Sequence, residues 1–178
     1  GNNVYCMLTN YPALFIAWMQ LGSYLFRHSS LPPRQREKLI LRAAALSAGR
    51  YPFAQHVGIG RECGLKETDL AGVLVGPTDP YWQEADQWLL TAADELIAGN
   101  AIADLTWDDL RSILSVRQCL DLVATVAFYQ LAAWTLNVCR TPLEDKQTSL
   151  VPSSVCGPKS PDLTAYRGAL RIAPLAPE

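Results

Sequence analysis

Glu37 and His56 are the two residues of this sequence whose types and spacing could support acid–base chemistry. A carboxylate held beside an imidazole can fix which ring nitrogen carries the proton, and the other nitrogen can then take up or deliver a proton near neutral pH. Both residues lie in the stretch 34–64, which reads as two helices joined by a short turn at 48–52. Helices joined by so short a turn run nearly antiparallel, so we expect the hairpin to bring the two side chains together.

Proline, glycine and apolar spacing support the helical interpretation of this stretch. Two prolines at 32–33 precede the first helix, where a missing N–H does no harm, and apolar residues at helical spacing follow. Gly49 is a suitable stop for that helix, and Pro52 is a suitable restart for the next one. Spacing alone favours a second interpretation of Glu37 and His56, in which they form an ion pair that only ties the two helices together.

The residues around the pair follow a pattern that extends beyond them. It is carried by Leu31-Pro32, Arg36-Glu37, residues 40–46, Gln55-His56-Val57 and Gly60-Arg61-Glu62. This pattern resembles the carboxymuconolactone decarboxylase-like family, which is related to alkylhydroperoxidase-D-like (AhpD-like) proteins. The resemblance covers roughly residues 10–145, and 31–65 is its specific part. It implies an all-α, AhpD-like fold of about six helices around the central hairpin, and it places the family's glutamate and histidine on Glu37 and His56.

One departure from the family's pattern concerns thiol chemistry. The redox members carry a Cys-x-x-Cys pair between the glutamate and the histidine, and the matching positions here are Gly49 and Pro52. The resemblance therefore implies that this chain is not a thiol peroxidase and that the acid–base pair remains. We expect a cofactor-independent enzyme, a lyase of the decarboxylase type, acting on a small carbonyl-activated carboxylic acid or lactone. Decarboxylation, isomerisation, dehydration and lactone ring opening all remain open.

A different class of function is a non-catalytic oligomeric binding or scaffold protein that has kept the fold. That alternative predicts a closed or absent pocket beside His56, together with turnover that does not depend on this residue.

Four further residues are candidates for substrate binding. Arg36 and Arg42 carry guanidinium groups, which match a carboxylate with two parallel hydrogen bonds. Tyr51 is the aromatic residue nearest to the predicted site in sequence. Tyr129 carries a hydroxyl on an otherwise apolar helix and needs a partner if it is buried.

The cysteines do not suggest a metal site or a disulfide framework. Five of them, an odd number, are scattered without paired spacing. A metal set of Glu37, His56 and Cys63 would lack the spacing of known sites, since three or four convergent ligands are normally required. A nucleophilic pair of His56 and Cys63 fails as well, because two helical turns separate them by about 10 Å. We expect no metal and no cofactor.

Composition suggests an oligomer in a reducing compartment. The 178 residues suit one domain, of which 49% are apolar and only 18% charged, so we expect other copies to cover part of the surface. The resemblance suggests a trimer or a hexamer.

The net charge of −2 favours neither nucleic acid nor a membrane surface as a partner. Cytoplasmic localisation is the default expectation.

Charge is unevenly distributed along the chain. Residues 27–66 carry eight Lys or Arg against two Glu, whereas residues 67–110 carry ten Asp or Glu and no Lys or Arg. Two complementary faces would explain this distribution, and so would a basic pocket around His56 that attracts an anionic substrate.

The rest of the chain reads as helical without a convincing strand. Beyond the hairpin, helices are predicted at 12–26, 66–75, 81–98, 106–114 and 117–139. The last of these is apolar almost all round, but Thr125, Gln130 and Thr135 favour burial in a helical oligomer over a membrane span. We assign residues 1–145 to the helical domain and the proline-rich residues 146–178 to an extended tail.

Overall fold

The computed structural model describes residues 2–145 and 147–155, and this part of the chain forms helices and turns without a strand. Its eight α-helices are α1 Asn3–Leu8, α2 Pro12–Arg27, α3 Pro33–Leu46, α4 Arg50–Glu62, α5 Glu67–Val75, α6 Glu84–Gly99, α7 Asp104–Ile113 and α8 Val116–Val138. The predicted all-α class is confirmed, and the predicted helices lie within three residues of the observed bounds. The additional element is α1, whose six residues are too few to show helical periodicity.

Helix α3 is the centre of the fold. It packs against α4, α5, α6 and α8, and nine of its fourteen residues are buried. Leu39, Ile40 and Leu41 are at most 1% exposed. Because neighbouring helices cover every side of α3, its charged residues between 36 and 42 are buried as well.

Two apolar clusters lie on opposite sides of α3. Leu39 and Ala43 belong to a cluster completed by α6, α7 and α8. Leu41 and Ala44 belong to a second cluster, completed by α4, α5, α6 and Val155. Val155 is only 1% exposed, so the start of the predicted tail packs on the domain. Residues 146 and 156–178 of that tail lie outside the described residues.

The turn of the hairpin fits closely against α8. Ala48 has a φ of 51°, and Gly49 follows as the N-cap of α4. A Cβ on Gly49 would come within 2.6 Å of the Cβ of Ala133, a separation that real side chains do not tolerate. The Asn137 side chain of α8 donates a hydrogen bond to the Ala48 carbonyl at 3.2 Å. The glycine is therefore required by its packing against α8 and not by its backbone angles, since its φ of -81° is accessible to other residues.

Helix α8 combines great length with an apolar composition. Its 23 residues have a mean hydropathy of 1.4 in the most apolar window, enough to cross a membrane by length and composition alone. Half of that window is buried within the structure, where α8 packs against α3, α4 and α6. Packing in a protein core explains the same composition.

Helix α1 is attached through a carboxylate from the other end of the domain. Glu144 accepts hydrogen bonds from the backbone N–H of Asn3 at 2.9 Å and from the Tyr51 hydroxyl at 2.6 Å. Gln55 donates to the second oxygen of Glu144 at 2.7 Å, and Tyr51 in turn accepts from the backbone N–H of Val4 at 3.2 Å. Burial raises the pKa of Glu144, but these hydrogen bonds outweigh it and leave the pKa below its ordinary value.

A buried cation joins α3 to α6. The Lys38 side chain is completely buried, with Nζ 2.5 Å from Oδ1 of Asp86 and 4.6 Å from the centre of the Trp82 ring. The contact with Asp86 is an ion pair that lacks the angles of a hydrogen bond. Burial lowers the pKa of Lys38, because the charged form has lost its water.

We expect Asp86→Ala to destabilise the protein by about 3–5 kcal/mol, because it leaves the buried Lys38 charge without its partner. Adding Lys38→Met should recover most of that loss, since the apolar side chain needs no partner. Urea unfolding of the three proteins measures both effects. Glu67→Ala, which removes an exposed ion pair with Arg61, should change the unfolding free energy little. A double variant no more stable than Asp86→Ala would contradict the explanation.

We expect the stabilisation from Glu144 to depend on pH. A carboxyl group whose pKa is lowered by folding contributes stability above its unfolded value of 4.5, and that stability is lost as the pH falls through the lower folded value. Glu144→Gln removes the charge at every pH. The difference in unfolding free energy between the wild type and this variant should therefore be largest near neutral pH and shrink below 4.5. A difference that stays constant over this range would show that the charge is not involved.

Candidate active site

The helical hairpin brings Glu37 and His56 into direct contact, as its geometry predicted. Nδ1 of His56 lies 2.7 Å from Oε2 of Glu37, and the glutamate side chain is completely buried. A carboxylate can only accept, so the imidazole donates from Nδ1 and the tautomer is assigned from this bond. Nε2 of His56 makes no hydrogen bond to the described part of the chain, so it is the nitrogen that can exchange a proton with a ligand.

Arg36 holds the other oxygen of the same carboxylate. Its Nε and Nη2 both donate to Oε1 of Glu37 at 3.2 Å, and Nη1 donates to the Phe26 carbonyl at 2.9 Å. The guanidinium also lies 5.1 Å from the centre of the Phe26 ring. The structure thus makes Arg36 a positioning residue for Glu37, and we correct the expectation that it contacts substrate.

A cavity of about 330 Å³ opens beside His56. Helices α1, α2, α4 and α8 all contribute to its wall. Its aromatic lining comprises Tyr5, Trp18, Phe26, Tyr51, Phe128 and Tyr129. Such an apolar space with a few polar groups is typical of a site for a small molecule.

Tyr129 is the aromatic residue in closest relation to the histidine. The two rings meet edge to face with centres 4.8 Å apart. Burial, and to a lesser degree the charge of Glu37, raise the pKa of Tyr129, so its hydroxyl stays protonated and can donate. That hydroxyl makes no hydrogen bond to any residue that the structure describes.

Tyr51 also lines the cavity, but its hydroxyl is already engaged with Glu144 and Val4. Burial and the Glu144 carboxylate raise the pKa of Tyr51 to about 12. We therefore assign Tyr51 to the wall of the cavity, where it presents the ring and not a free donor.

Arg42 does not reach the cavity. Its guanidinium forms a bidentate pair with Asp94, with both hydrogen bonds at 2.6 Å, and Nη1 donates to the Val73 and Leu74 carbonyls at the end of α5. These contacts use the donors that a substrate carboxylate would need, so we withdraw Arg42 as a substrate ligand. Sequence analysis could not foresee this, because Asp94 lies 52 residues away.

The two positions that match the family's dithiol hold Gly49 and Pro52, and the first has no room for a side chain. Gly49 lies against Ala133 with no room for a side chain, and Pro52 occupies the second position in the wall of the cavity. Burial and the charge of Glu37 raise the pKa of Cys63, the cysteine nearest the pair in sequence, which disfavours the reactive thiolate. Within the described residues, no group of three or more acidic, histidine or cysteine side chains could hold a metal ion.

Arg27 and Trp18 also line the cavity. Sequence analysis missed Arg27 and left open whether Trp18 belongs to the core or lines a pocket. A signal for Arg27 was present, since it is the only charged residue in the sixteen residues of α2. Trp18 carried no such signal, because an aromatic residue in an apolar helix is equally suited to a protein core.

Comparison with known proteins agrees with this fold. Residues 12–95 match the model of the carboxymuconolactone decarboxylase family. A comparison of the sequence with curated proteins gave no match.

Solved structures of similar fold come from several proteins. ATU0492 of Agrobacterium tumefaciens, a protein of unknown function with a suggested AhpD-like role in antioxidant defence, has a TM-score of 0.72 at 21% identity, covering 78% of this chain and 95% of its own. A peroxidase-related AhpD core protein of Ralstonia eutropha JMP134 has a TM-score of 0.73 at 20% identity, and the match covers 81% of this chain and 77% of that protein. The debrominase Bmp8 has a TM-score of 0.73 at 12% identity, and the match covers 85% of this chain and 81% of the debrominase.

Identities this low show a shared fold and nothing about the reaction. The family match covers the helical hairpin that carries the glutamate and the histidine, and the solved structures extend the likeness over most of the chain. The chain is therefore similar to the carboxymuconolactone decarboxylase family over residues 12–95 and shares its fold with AhpD-like proteins.

Proposed function

We propose that this protein is a cofactor-independent acid–base enzyme of the lyase type, which acts on a small carbonyl-activated carboxylic acid or lactone. One observation carries the proposal: the imidazole of His56 is anchored through Nδ1 to the buried Glu37 and also lines an aromatic cavity. A histidine held in this way has one nitrogen committed to orientation and the other available for proton transfer.

In a decarboxylation, the bond between the substrate carbon and its carboxylate breaks, and carbon dioxide leaves without the electron pair. The pair remains on the substrate as an enolate-like anion, which a carbonyl group stabilises by taking the negative charge onto oxygen. Protonated His56 then delivers the Nε2 proton to carbon and regains one from solvent. Tyr129, whose hydroxyl stays protonated, is suited to donate a hydrogen bond to the developing oxyanion. The same groups could serve an isomerisation, a dehydration or a ring opening.

The non-catalytic alternative predicts no pocket at the histidine. A cavity of about 330 Å³ beside His56 supports the catalytic proposal over that alternative. The family description, which names a decarboxylase, supports the reaction class, and the debrominase among the similar structures is an example of an enzyme on this fold. Thiol chemistry is not proposed, because Gly49 and Pro52 occupy the dithiol positions.

We also propose that the protein forms a homo-oligomer through the outer face of α2 and part of α8. Leu25 is the one buried residue of α2, although the helix carries a single charge. Ile16 on α2 and Trp134 on α8 are 59% and 55% exposed, and other large apolar side chains of both helices are similarly uncovered. Monomeric proteins rarely leave patches of this kind in contact with water, and a second copy offers a surface equally free of charge.

We expect His56→Ala to reduce turnover by about 10²–10⁴-fold, the usual contribution of a general acid–base group, while the helical fold survives. Glu37→Gln should reduce turnover less if the carboxylate only orients the ring. Turnover is measured on small keto acids, lactones and phenolic acids, with melting temperature recorded for the same samples. His28→Ala, which changes an exposed histidine outside this cavity, is the matched control and should keep full activity.

Two outcomes would overturn the catalytic proposal. The first is a His56→Ala protein with a lowered melting temperature and full turnover per folded molecule. The histidine would then stabilise the fold without taking part in the reaction. The second is wild-type protein that converts no member of the three substrate classes.

We expect light scattering at micromolar concentration to give a multiple of the chain mass of 19.6 kDa. Ile16 and Trp134 are exposed in the isolated chain and would be buried in the proposed interface. The double variant Ile16→Glu, Trp134→Glu should shift the protein toward the monomer, because assembly would then bury carboxylates without a partner. Val75→Glu, at an exposed apolar position on α5, is the control. A wild-type mass near that of one chain would contradict the assembly.

A further inference from the structure

The cavity beside His56 carries positive charge without a matching carboxylate in its wall. Arg27 is the one lysine or arginine among the lining residues, and no aspartate or glutamate lines the cavity within the described chain. Glu37 lies behind the imidazole and is compensated by Arg36. Glu144 lies behind Tyr51, with its oxygens occupied by hydrogen bonds. The charge balance of the cavity wall, with an exposed arginine and no carboxylate, therefore favours an anion.

Arg27 itself has no partner within the described part of the chain. It makes neither a hydrogen bond nor an ion pair there, in contrast to Arg36 and Arg42, whose guanidinium groups are engaged by protein atoms. Its position as the last residue of α2 is favourable for a cation, because the helix dipole places partial negative charge at that end. Because Arg27 is exposed at the end of α2, its donors face solvent at the edge of the cavity and can bind a ligand there.

The remainder of the lining suits a flat, conjugated ligand. Trp18 and Phe128 lie with ring centres 5.2 Å apart on one wall, and Tyr129 meets both Phe128 and His56 edge to face. Aromatic rings favour stacked or edge-on contacts with other π-systems. The volume of about 330 Å³ is at the lower end for ligand sites, so the ligand is small.

We infer that Arg27 is the specificity-determining residue of this cavity, which binds the carboxylate of a small planar conjugated acid. The guanidinium engages the carboxylate with two hydrogen bonds, and the conjugated body lies among Trp18, Phe128 and Tyr129 with one edge against His56. A single arginine fits a monoanionic carboxylate, since the structure offers no second lysine or arginine in the wall for a phosphate dianion. This inference rests on the proposed function, in which His56 transfers a proton to the substrate. It adds Arg27 as the residue that selects the substrate by binding its carboxylate.

Binding of benzoate tests this inference without any turnover. Titration calorimetry with intact wild-type protein at pH 7 should show saturable binding, and the uncharged isostere benzamide should bind more weakly. Arg27→Gln should weaken benzoate binding by about tenfold or more, because a charge-assisted bidentate contact is lost, and should leave benzamide unaffected. Arg27→Lys should retain part of the affinity, since lysine keeps the positive charge but cannot form two parallel hydrogen bonds to a carboxylate.

Arg61→Gln is the matched control, because it removes an exposed arginine of α4 that lies outside the cavity and pairs with Glu67. It should bind benzoate like the wild type. The inference is overturned if wild-type protein does not bind benzoate, if benzamide binds equally well, or if Arg27→Gln binds benzoate unchanged with a native circular dichroism spectrum. Benzoate binding that depends on Arg27, without turnover of any acid or lactone, would refute the proposed reaction alone. Turnover that depends on His56 but not on Arg27 would refute this inference alone.

Discussion

The burial of charge in α3 is the constraint on which the rest of the structure depends. The helix is covered on all sides, yet it carries Arg36, Glu37, Lys38 and Arg42 in its buried part. An unpaired charge in such a place costs several kcal/mol, so each one is met by an opposite charge or by a polar group. Lys38 and Arg42 are met from α6, and Glu37 from α4. These pairs hold both neighbouring helices in register against the central one.

The proposed catalytic pair is part of this structural network. Glu37 divides its two oxygens between Arg36 and His56, so its carboxylate is fixed from both sides. The same contacts that satisfy a buried charge therefore set the tautomer and the orientation of the imidazole. Stability and proton transfer are compatible roles for this pair, because the structural bond uses Nδ1 and the proposed reaction uses Nε2.

Gly49, which stands at one of the two dithiol positions, determines how closely the hairpin turn packs on α8. Gly49 allows the hairpin turn to approach α8 so closely that a side chain would collide with Ala133. Helix α8 is thereby held where Phe128 and Tyr129 form a wall of the cavity next to His56. The cavity is thus enclosed largely by aromatic rings, with His56, the proposed acid–base group, at its edge.

The sequence by itself determined the helices other than α1, the hairpin and the pairing of Glu37 with His56, because these depend on local periodicity, on helix-terminating residues and on a short connection. It could not determine the role of Arg42, whose partner Asp94 lies 52 residues away, or the attachment of α1 through Glu144, 141 residues from Asn3. Nor could it select Arg27 as the cavity-lining cation that has no partner among the described residues. An arginine binds a ligand only where the folded protein leaves its donors unpaired, and tertiary contacts decide which donors those are.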